Sequence, residues 1–180
     1  MKRKGLFLDR DGVININHGY VHTIENFQFI DGIFDLTRLA SSKDYVICVV
    51  TNQAGIARGY YTESDFDQLT SWMCEQFKAE GVIIDKVYCS PYHPVHGLGR
   101  YKKDHISRKP NPGMLQQAML EFDIDAQASI LIGDNVTDIQ AGFFAGVGKN
   151  LFFGNYDISQ NRGLGNYLSI SHLSEACAYL

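Results

Sequence analysis

Two aspartates, Asp9 and Asp11, stand one residue apart where an apolar run ends, in the stretch LFLDRDGVI of residues 6–14. Residues i and i+2 of an extended chain point to the same side, so both carboxylates can reach one small volume. Taking an unpaired carboxylate out of water is costly, and two like charges so close repel unless a cation lies between them. The pair therefore predicts a binding site at the end of this strand.

A second acidic pair occurs in ILIGDNVTD, where Asp134 follows another apolar run and Asp138 comes one helical turn later. Hard divalent cations such as Mg²⁺ prefer oxygen ligands and recruit phosphate oxygens. We predict a Mg²⁺ site to which Asp9, Asp11 and Asp134 contribute. Aspartate is also common at turns and helix N-caps, so either motif alone is compatible with a purely structural role.

Two further segments carry groups that suit an anion. The stretch VVTNQAG places Thr51 at the end of a strand, where its hydroxyl and the backbone N–H groups of a glycine-containing turn can hold phosphate oxygens. The stretch SRKPNPG places Arg108 and Lys109 just before a helix that starts at a proline. A planar guanidinium and a compact ammonium would both face the anion there.

The elements that must position these residues alternate between strands and helices. This alternation predicts one domain over residues 1–180, an α/β fold with a doubly wound, mainly parallel sheet and helices on both faces. The predicted strands are residues 5–8, 45–50, 82–88, 129–132 and 150–153, and the helical patterns are 33–40, 62–77, 111–122, 137–144 and 172–179. Long irregular segments follow three of the strands, so the candidate residues crowd the edge where open α/β sheets bind ligands.

The composition and net charge argue against several classes of protein. The chain has 180 residues, a formal net charge of −4 and four cysteines without a CxxC pair. We expect reduced thiols, a cytoplasmic location, no signal peptide, no membrane span and no nucleic-acid partner.

Taken in order, the four motifs resemble those of the haloacid-dehalogenase superfamily of phosphotransferases. The resemblance implies that Asp9 attacks phosphorus to form an aspartyl-phosphate, and that Asp11 protonates the departing oxygen and then activates water. It also implies that Thr51 and Lys109 hold the transferring phosphoryl group. Only about 20 residues separate Gly12 from the first helix, which leaves no room for a cap domain.

Within that superfamily, the loops INHGYVHTIENFQFIDG, TNQAGIARGYYTESDF and SRKPNPGML resemble the heptose bisphosphate phosphatase branch. The resemblance implies removal of the 7-phosphate of D-glycero-D-manno-heptose 1,7-bisphosphate by a monomer, in the synthesis of nucleotide-heptose precursors. It also implies that Arg108 binds the retained phosphate. The full set of implied substrate contacts is Asn17, His18, Gly19, Tyr20, Asn52, Gln53, Arg108 and Asn135. A phosphatase of histidinol phosphate or another small molecule, and a non-catalytic phosphate-binding module, remain alternatives.

The chain departs from this branch in its third long loop. Many relatives hold a structural zinc there with a Cys-x-His pair and a Cys-x-Cys pair, whereas the matching positions are Ser90, Tyr92, His105 and Ser107. Three of these four residues are not ordinary zinc ligands, so we expect no structural Zn²⁺. A shifted site remains an alternative, and its ligands would be Cys89, His93, His96 and His105.

Overall fold

The computed structural model describes residues 2–180, and its centre is a six-stranded parallel sheet with the order β3-β2-β1-β4-β5-β6. The strands are β1 (Lys4–Leu8), β2 (Tyr45–Asn52), β3 (Lys86–Ser90), β4 (Ile130–Gly133), β5 (Lys149–Phe153) and β6 (Tyr167–Ile170). The predicted fold class is confirmed. β3 begins four residues later than predicted, and β6 was missed.

Residues 2–180 also form six α-helices, and the predicted helical patterns correspond to five of them. They are α1 (Ile33–Ser42), α2 (Ala54–Ala57), α3 (Glu63–Ala79), α4 (Gly113–Glu121), α5 (Val136–Ala145) and α6 (Leu173–Ala176). The predicted start of α3 is confirmed, because Thr62 and Asp65 form a reciprocal capping box. The four-residue α2 lies inside a segment that was predicted to be irregular. The last predicted helix is divided into α6 and a 3₁₀ turn, Cys177–Tyr179.

The core consists of one apolar layer on each face of the sheet. Along β1, Leu6 and Leu8 pack into the layer that holds α1 and α3, while Phe7 packs into the layer that holds α4 and α5. This alternation follows from the two-residue period of a strand. All three side chains are fully buried, which explains why β1 is a continuous apolar run.

The arrangement of β1 and β4 brings the candidate residues together. β1 lies between β2 and β4, and the backbone N–H of Asp9 donates to the carbonyl of Ile132 at 3.0 Å. The loops after β1, β2 and β4 therefore meet where the strand order reverses, as expected for ligand sites on open parallel sheets. None of the helices within residues 2–180 has the length and apolar character required to cross a membrane.

Candidate active site

An open cavity of about 430 Å³ lies at the carboxyl edge of the sheet, and most of the predicted site residues line it. The exceptions are Thr51 and His18. Thr51 is buried behind the lining, where its hydroxyl accepts a hydrogen bond from the amide of Gln53. His18 is exposed on the loop after β1. The predicted contact between His18 and a substrate therefore has no support in this geometry.

Lys109 is the central cation of the cavity. Its ammonium lies 2.9 Å from Oδ1 of Asp9 and 2.6 Å from Oδ1 of Asp138, and it donates to the carbonyl of Val50 at 2.8 Å. The side chain is only 3% exposed. Burial lowers the pKa of Lys109, but Asp138 and Asp9 outweigh that effect and hold the pKa above its usual range. Lys109 therefore remains charged and fixed against Asp9.

The ionised form is unfavourable for two of the carboxylates near Lys109. Burial raises the pKa of Asp9 to about 8, in spite of Lys109, and Asp138 and Asp134 add to the rise. Burial and the charge of Asp138 raise the pKa of Asp134 to about 7. A cluster of buried carboxylates with raised pKa values is the setting that a divalent cation relieves.

The carboxylates of Asp9, Asp134 and Asp138 each offer an oxygen within 4.8 Å of the others, and this is the one group of potential metal ligands that residues 2–180 assemble. Both oxygens of Asp138 are engaged, because Oδ1 pairs with Lys109 and Oδ2 accepts from the backbone N–H of Asn135 at 3.0 Å. Asp9 and Asp134 are therefore the carboxylates that fit Mg²⁺.

The carboxylate of Asp11 does not belong to this cluster, so the predicted contribution of Asp11 to the Mg²⁺ site stays a prediction that does not involve its carboxylate. Instead, Arg10 donates to both of its oxygens at 2.9 Å, and the amides of Asn15 and Gln53 donate at 3.0 and 2.9 Å. The physical reason is Arg10, which lies between the two aspartates, is only 1% exposed and draws Asp11 toward itself. Asp11 thus reaches the cavity as a separately held carboxylate.

The residues after β2 support the site and leave few polar atoms for a substrate. The side chain of Asn52 exchanges two hydrogen bonds of 3.0 Å with the backbone of Lys109, which fixes the position of that lysine. The amide of Gln53 donates to Asp11 and Thr51 and accepts from the hydroxyl of Tyr61. Both residues line the cavity, so the predicted substrate contacts of Asn52 and Gln53 stay a prediction, and these hydrogen bonds give the two side chains a positioning role as well.

The loop after β1 forms the outer wall of the cavity. The side chain of Asn17 accepts from the backbone N–H of Gly19 at 3.0 Å, and this turn leads into Tyr20, whose φ of 52° is unusual for a residue with a side chain. The side chain of Asn135 caps α5 by accepting from the N–H of Thr137. Asn17, Gly19, Tyr20 and Asn135 all line the cavity, and their predicted contacts with substrate stay a prediction.

Arg108 lines the cavity beside Lys109, at the end of the long loop after β3. One of its guanidinium nitrogens donates to the carbonyl of Tyr92 at 3.0 Å. Burial and the positive charge of Arg58 lower the pKa of Arg108.

The four residues at the positions that match the zinc ligands of relatives contact one another through hydroxyl groups and rings, and none of them is a cysteine. Ser107 donates to the hydroxyl of Ser90 at 3.0 Å, and a ring nitrogen of His105 lies 2.7 Å from the hydroxyl of Ser107. The ring of Tyr92 packs on His105, with 4.3 Å between centroids. These contacts join β3 to the residue just before Arg108. The shifted set is not assembled within residues 2–180, where His93 and His96 pair with each other but form no cluster with Cys89 and His105.

Two glycines allow the acidic groups to approach the backbone. A Cβ at Gly12, where φ is +93°, would overlap the carboxylate of Asp134, and a Cβ at Gly133 would overlap the side chain of Asp138. Glycine is therefore needed at both positions for close packing, and at Gly12 also for its positive φ.

Sequence reasoning missed several residues that shape the site. Arg10, Asn15 and Tyr61 hold Asp11 directly or through Gln53. Asp138 was noted in the sequence as part of an acidic pair, but its pairing with Lys109 was not predicted. The sequence does point to one of these residues. Arg10 lies between two aspartates at the end of a buried strand, so it is placed next to the core.

Comparisons with known proteins agree with this geometry. Residues 106–151 match the family model described as HAD-hydrolase-like. The D-glycero-alpha-D-manno-heptose-1,7-bisphosphate 7-phosphatase of Burkholderia mallei is 55% identical over 160 residues, which cover 89% of this chain and 85% of that protein. The chain belongs to the heptose-1,7-bisphosphate 7-phosphatase family. A second member, the D-glycero-beta-D-manno-heptose-1,7-bisphosphate 7-phosphatase of Haemophilus influenzae, is 45% identical over 167 residues, with coverage of 92% and 90%.

Solved structures place this family member in the same fold. The crystal structure of a putative HAD-like phosphatase from Mesorhizobium loti has a TM-score of 0.87 and 34% identity, covering 99% of this chain and 86% of that one. D,D-heptose 1,7-bisphosphate phosphatase from B. bronchiseptica, complexed with magnesium and phosphate, has a TM-score of 0.84 and 23% identity, with coverage of 97% and 96%. The resemblance to haloacid-dehalogenase phosphatases is thereby confirmed.

Proposed function

We propose that this chain is a Mg²⁺-dependent phosphatase that removes the 7-phosphate of D-glycero-D-manno-heptose 1,7-bisphosphate, for the synthesis of nucleotide-heptose precursors. The observation that carries the proposal is the separation of two neighbouring carboxylates. Asp9 is fixed against Lys109 and beside Asp134, whereas Asp11 faces the same cavity but is held by Arg10, Asn15 and Gln53. The family names of the relatives support the substrate.

In the first half of the reaction, a carboxylate oxygen of Asp9 attacks the 7-phosphorus while the bond from phosphorus to the sugar oxygen breaks. Asp11 gives a proton to that oxygen, which leaves as a hydroxyl. In the second half, Asp11 takes a proton from water as the water oxygen attacks phosphorus. The bond between phosphorus and Asp9 then breaks, releasing inorganic phosphate.

Positive groups around the transferring phosphoryl group balance its negative charge. Asp9 and Asp134 would hold Mg²⁺, and the bound cation would supply positive charge for the phosphoryl oxygens. Lys109 supplies a second, permanent positive charge, and Asn52 and Asp138 keep it in place. Arg108 lies at the same cavity and suits the phosphate that the sugar retains, because a guanidinium binds phosphate oxygens in pairs.

The test is phosphate release from both anomers of the heptose 1,7-bisphosphate, with histidinol phosphate as the comparison substrate and Mg²⁺ or EDTA in the buffer. We expect Mg²⁺-dependent turnover of the bisphosphate, with a higher kcat/KM than for histidinol phosphate, and no turnover by Asp9→Asn. A preference for histidinol phosphate would favour the other phosphatase. Wild type no faster than Asp9→Asn would favour a phosphate-binding module.

A further inference from the structure

Arg58 is partly buried and takes part in none of the active-site hydrogen bonds or ion pairs described above. It directly follows α2, and its Nε is buried without a hydrogen-bond partner. Within residues 2–180 it forms no ion pair with a carboxylate, and neither does Arg108. By contrast, Arg100 is 74% exposed and pairs with Glu63. An unpaired, partly buried guanidinium needs an anion from elsewhere, since leaving donors unsatisfied is unfavourable.

The position of Arg58 indicates where that anion binds. The guanidinium carbon of Arg58 lies 5.9 Å from the centroid of the Tyr20 ring, and Tyr20 lines the cavity together with Arg108. The backbone supports this placement, because the carbonyl of Ala57, next to Arg58, accepts from the N–H of Leu98 in the loop that leads to Arg108. The positive charge of Arg58 also helps lower the pKa values of Arg108 and His93, which is consistent with this position of Arg58.

Arg58 lies against Tyr20 of the cavity wall and its charge acts on Arg108, so the two guanidinium groups repel each other until an anion joins them. A phosphate dianion suits both, because a guanidinium is planar, weakly hydrated and able to donate two parallel hydrogen bonds. Lys109 already occupies the inner part of the cavity with Asp9, so the arginines at Tyr20 serve a different phosphate. A substrate that spans the cavity with a phosphate at each end satisfies both groups of cations.

We propose that Arg58, together with Arg108, forms the subsite for the phosphate that the sugar retains, and so determines the preference of this chain for bisphosphates over monophosphates. The inference rests on the proposed function and deepens it. Arg58 adds a second guanidinium to the one that the sequence motif supplies. It binds ground state and transition state alike, because the retained phosphate does not react.

The experiment compares Arg58→Met, which keeps the apolar stem, and Arg58→Lys, which keeps the charge, with Arg100→Met as a matched control. Each protein is assayed on the heptose 1,7-bisphosphate and on p-nitrophenyl phosphate, which has no second phosphate. For Arg58→Met we expect kcat/KM on the bisphosphate to fall about 10- to 100-fold, the range of one lost charge-assisted contact, mainly through a higher KM. Arg58→Lys retains part of the activity, and p-nitrophenyl phosphate is hydrolysed as before.

Equal losses on both substrates, or no loss on the bisphosphate, would overturn the assignment of Arg58. The same holds if Arg100→Met lowers bisphosphate turnover as much as Arg58→Met does. If wild type hydrolyses p-nitrophenyl phosphate but releases nothing from the bisphosphate, the proposed function fails. The Arg58 subsite is then judged by the inhibition constant of the bisphosphate against p-nitrophenyl phosphate. An increase of about 10-fold or more in Arg58→Met supports the subsite, and an unchanged constant refutes it.

Discussion

Removal of divalent cations should make the free energy of unfolding fall as the pH rises from 5 to 7. Burial raises the pKa of Asp9 in the folded chain to about 8, and that of Asp134 to about 7, whereas an unfolded aspartate titrates near 3.8. Between these values the folded chain holds a proton that the unfolded chain has lost. The stabilisation is therefore fully present below the unfolded pKa and is lost as the pH rises through the folded pKa.

The size of this effect follows from proton linkage. One extra proton bound by the folded state changes the free energy of unfolding by about 1.4 kcal/mol per pH unit. Asp9 is only 9% exposed, so we assign it one full proton over the interval from pH 5 to 7. The expected loss is then about 3 kcal/mol. Asp134 is more exposed and adds less, because solvent screens its charge.

The assay is urea denaturation of metal-free protein at pH 5, 6 and 7. The comparison is between wild type, Asp9→Asn and the control Asp157→Asn. Hydrogen bonds from the backbone and hydroxyl of Ser159 lower the pKa of Asp157, so it is ionised throughout this range. The lowered pKa of His93 gives an opposite slope that is common to all three proteins. Only Asp9→Asn should flatten the fall with pH, by close to one proton.

Addition of Mg²⁺ tests whether the same carboxylates lose their protons when a cation binds. The cation replaces protons on Asp9 and Asp134, so it should stabilise wild type more at pH 7 than at pH 5. The reasoning is refuted if wild type and Asp9→Asn have the same slope without metal. It is equally refuted if Mg²⁺ stabilises wild type by the same amount at both pH values.

Three further predictions concern neighbouring residues. Lys109→Met leaves the buried carboxylate of Asp138 without its cation, so urea denaturation at pH 7 should show a loss of about 3–5 kcal/mol, whereas an unchanged midpoint would contradict the pairing. Gly12→Ala should weaken Mg²⁺ binding in titration calorimetry, because the new Cβ displaces the carboxylate of Asp134, and unchanged affinity would exclude this role. Asp11→Asn should lower kcat about 10²- to 10⁴-fold on the sugar phosphate, whereas with p-nitrophenyl phosphate, whose departing oxygen needs no proton, a first-turnover burst of p-nitrophenolate should remain although steady-state turnover falls; loss of the burst would argue against an acid at this position.

Sequence patterns predicted those parts of the fold and site that depend on local order along the chain. Asp9 and Asp134 directly follow buried strands and Thr51 lies next to the last residue of β2, so a parallel sheet necessarily brings them to one edge. β6 was missed because it is a four-residue edge strand whose central residues, Leu168 and Ser169, are exposed. Its sequence therefore lacks the apolar continuity that identified the other strands.

The interactions that the sequence did not predict join residues far apart in the chain. Gln53 was interpreted as a substrate contact, yet its amide is used by Asp11, 42 residues away, and by Tyr61. Asn52 is used by Lys109, 57 residues away. Spacing along a strand or helix gives no information about such partners, because they depend on how separate loops pack above the sheet.

The division of roles between Asp9 and Asp11 arises from this long-range packing. In sequence the two carboxylates are equivalent, since each follows the same strand and can face the same volume. In the folded chain, Lys109 and Asp134 surround Asp9, whereas three N–H donors from Arg10, Asn15 and Gln53 hold Asp11. Different surroundings give two neighbouring carboxyl groups different chemistry. Arg10 holds the carboxylate of Asp11 outside the group formed by Asp9, Asp134 and Asp138, so the proposed acid–base group is separate from the carboxylates that would hold the cation.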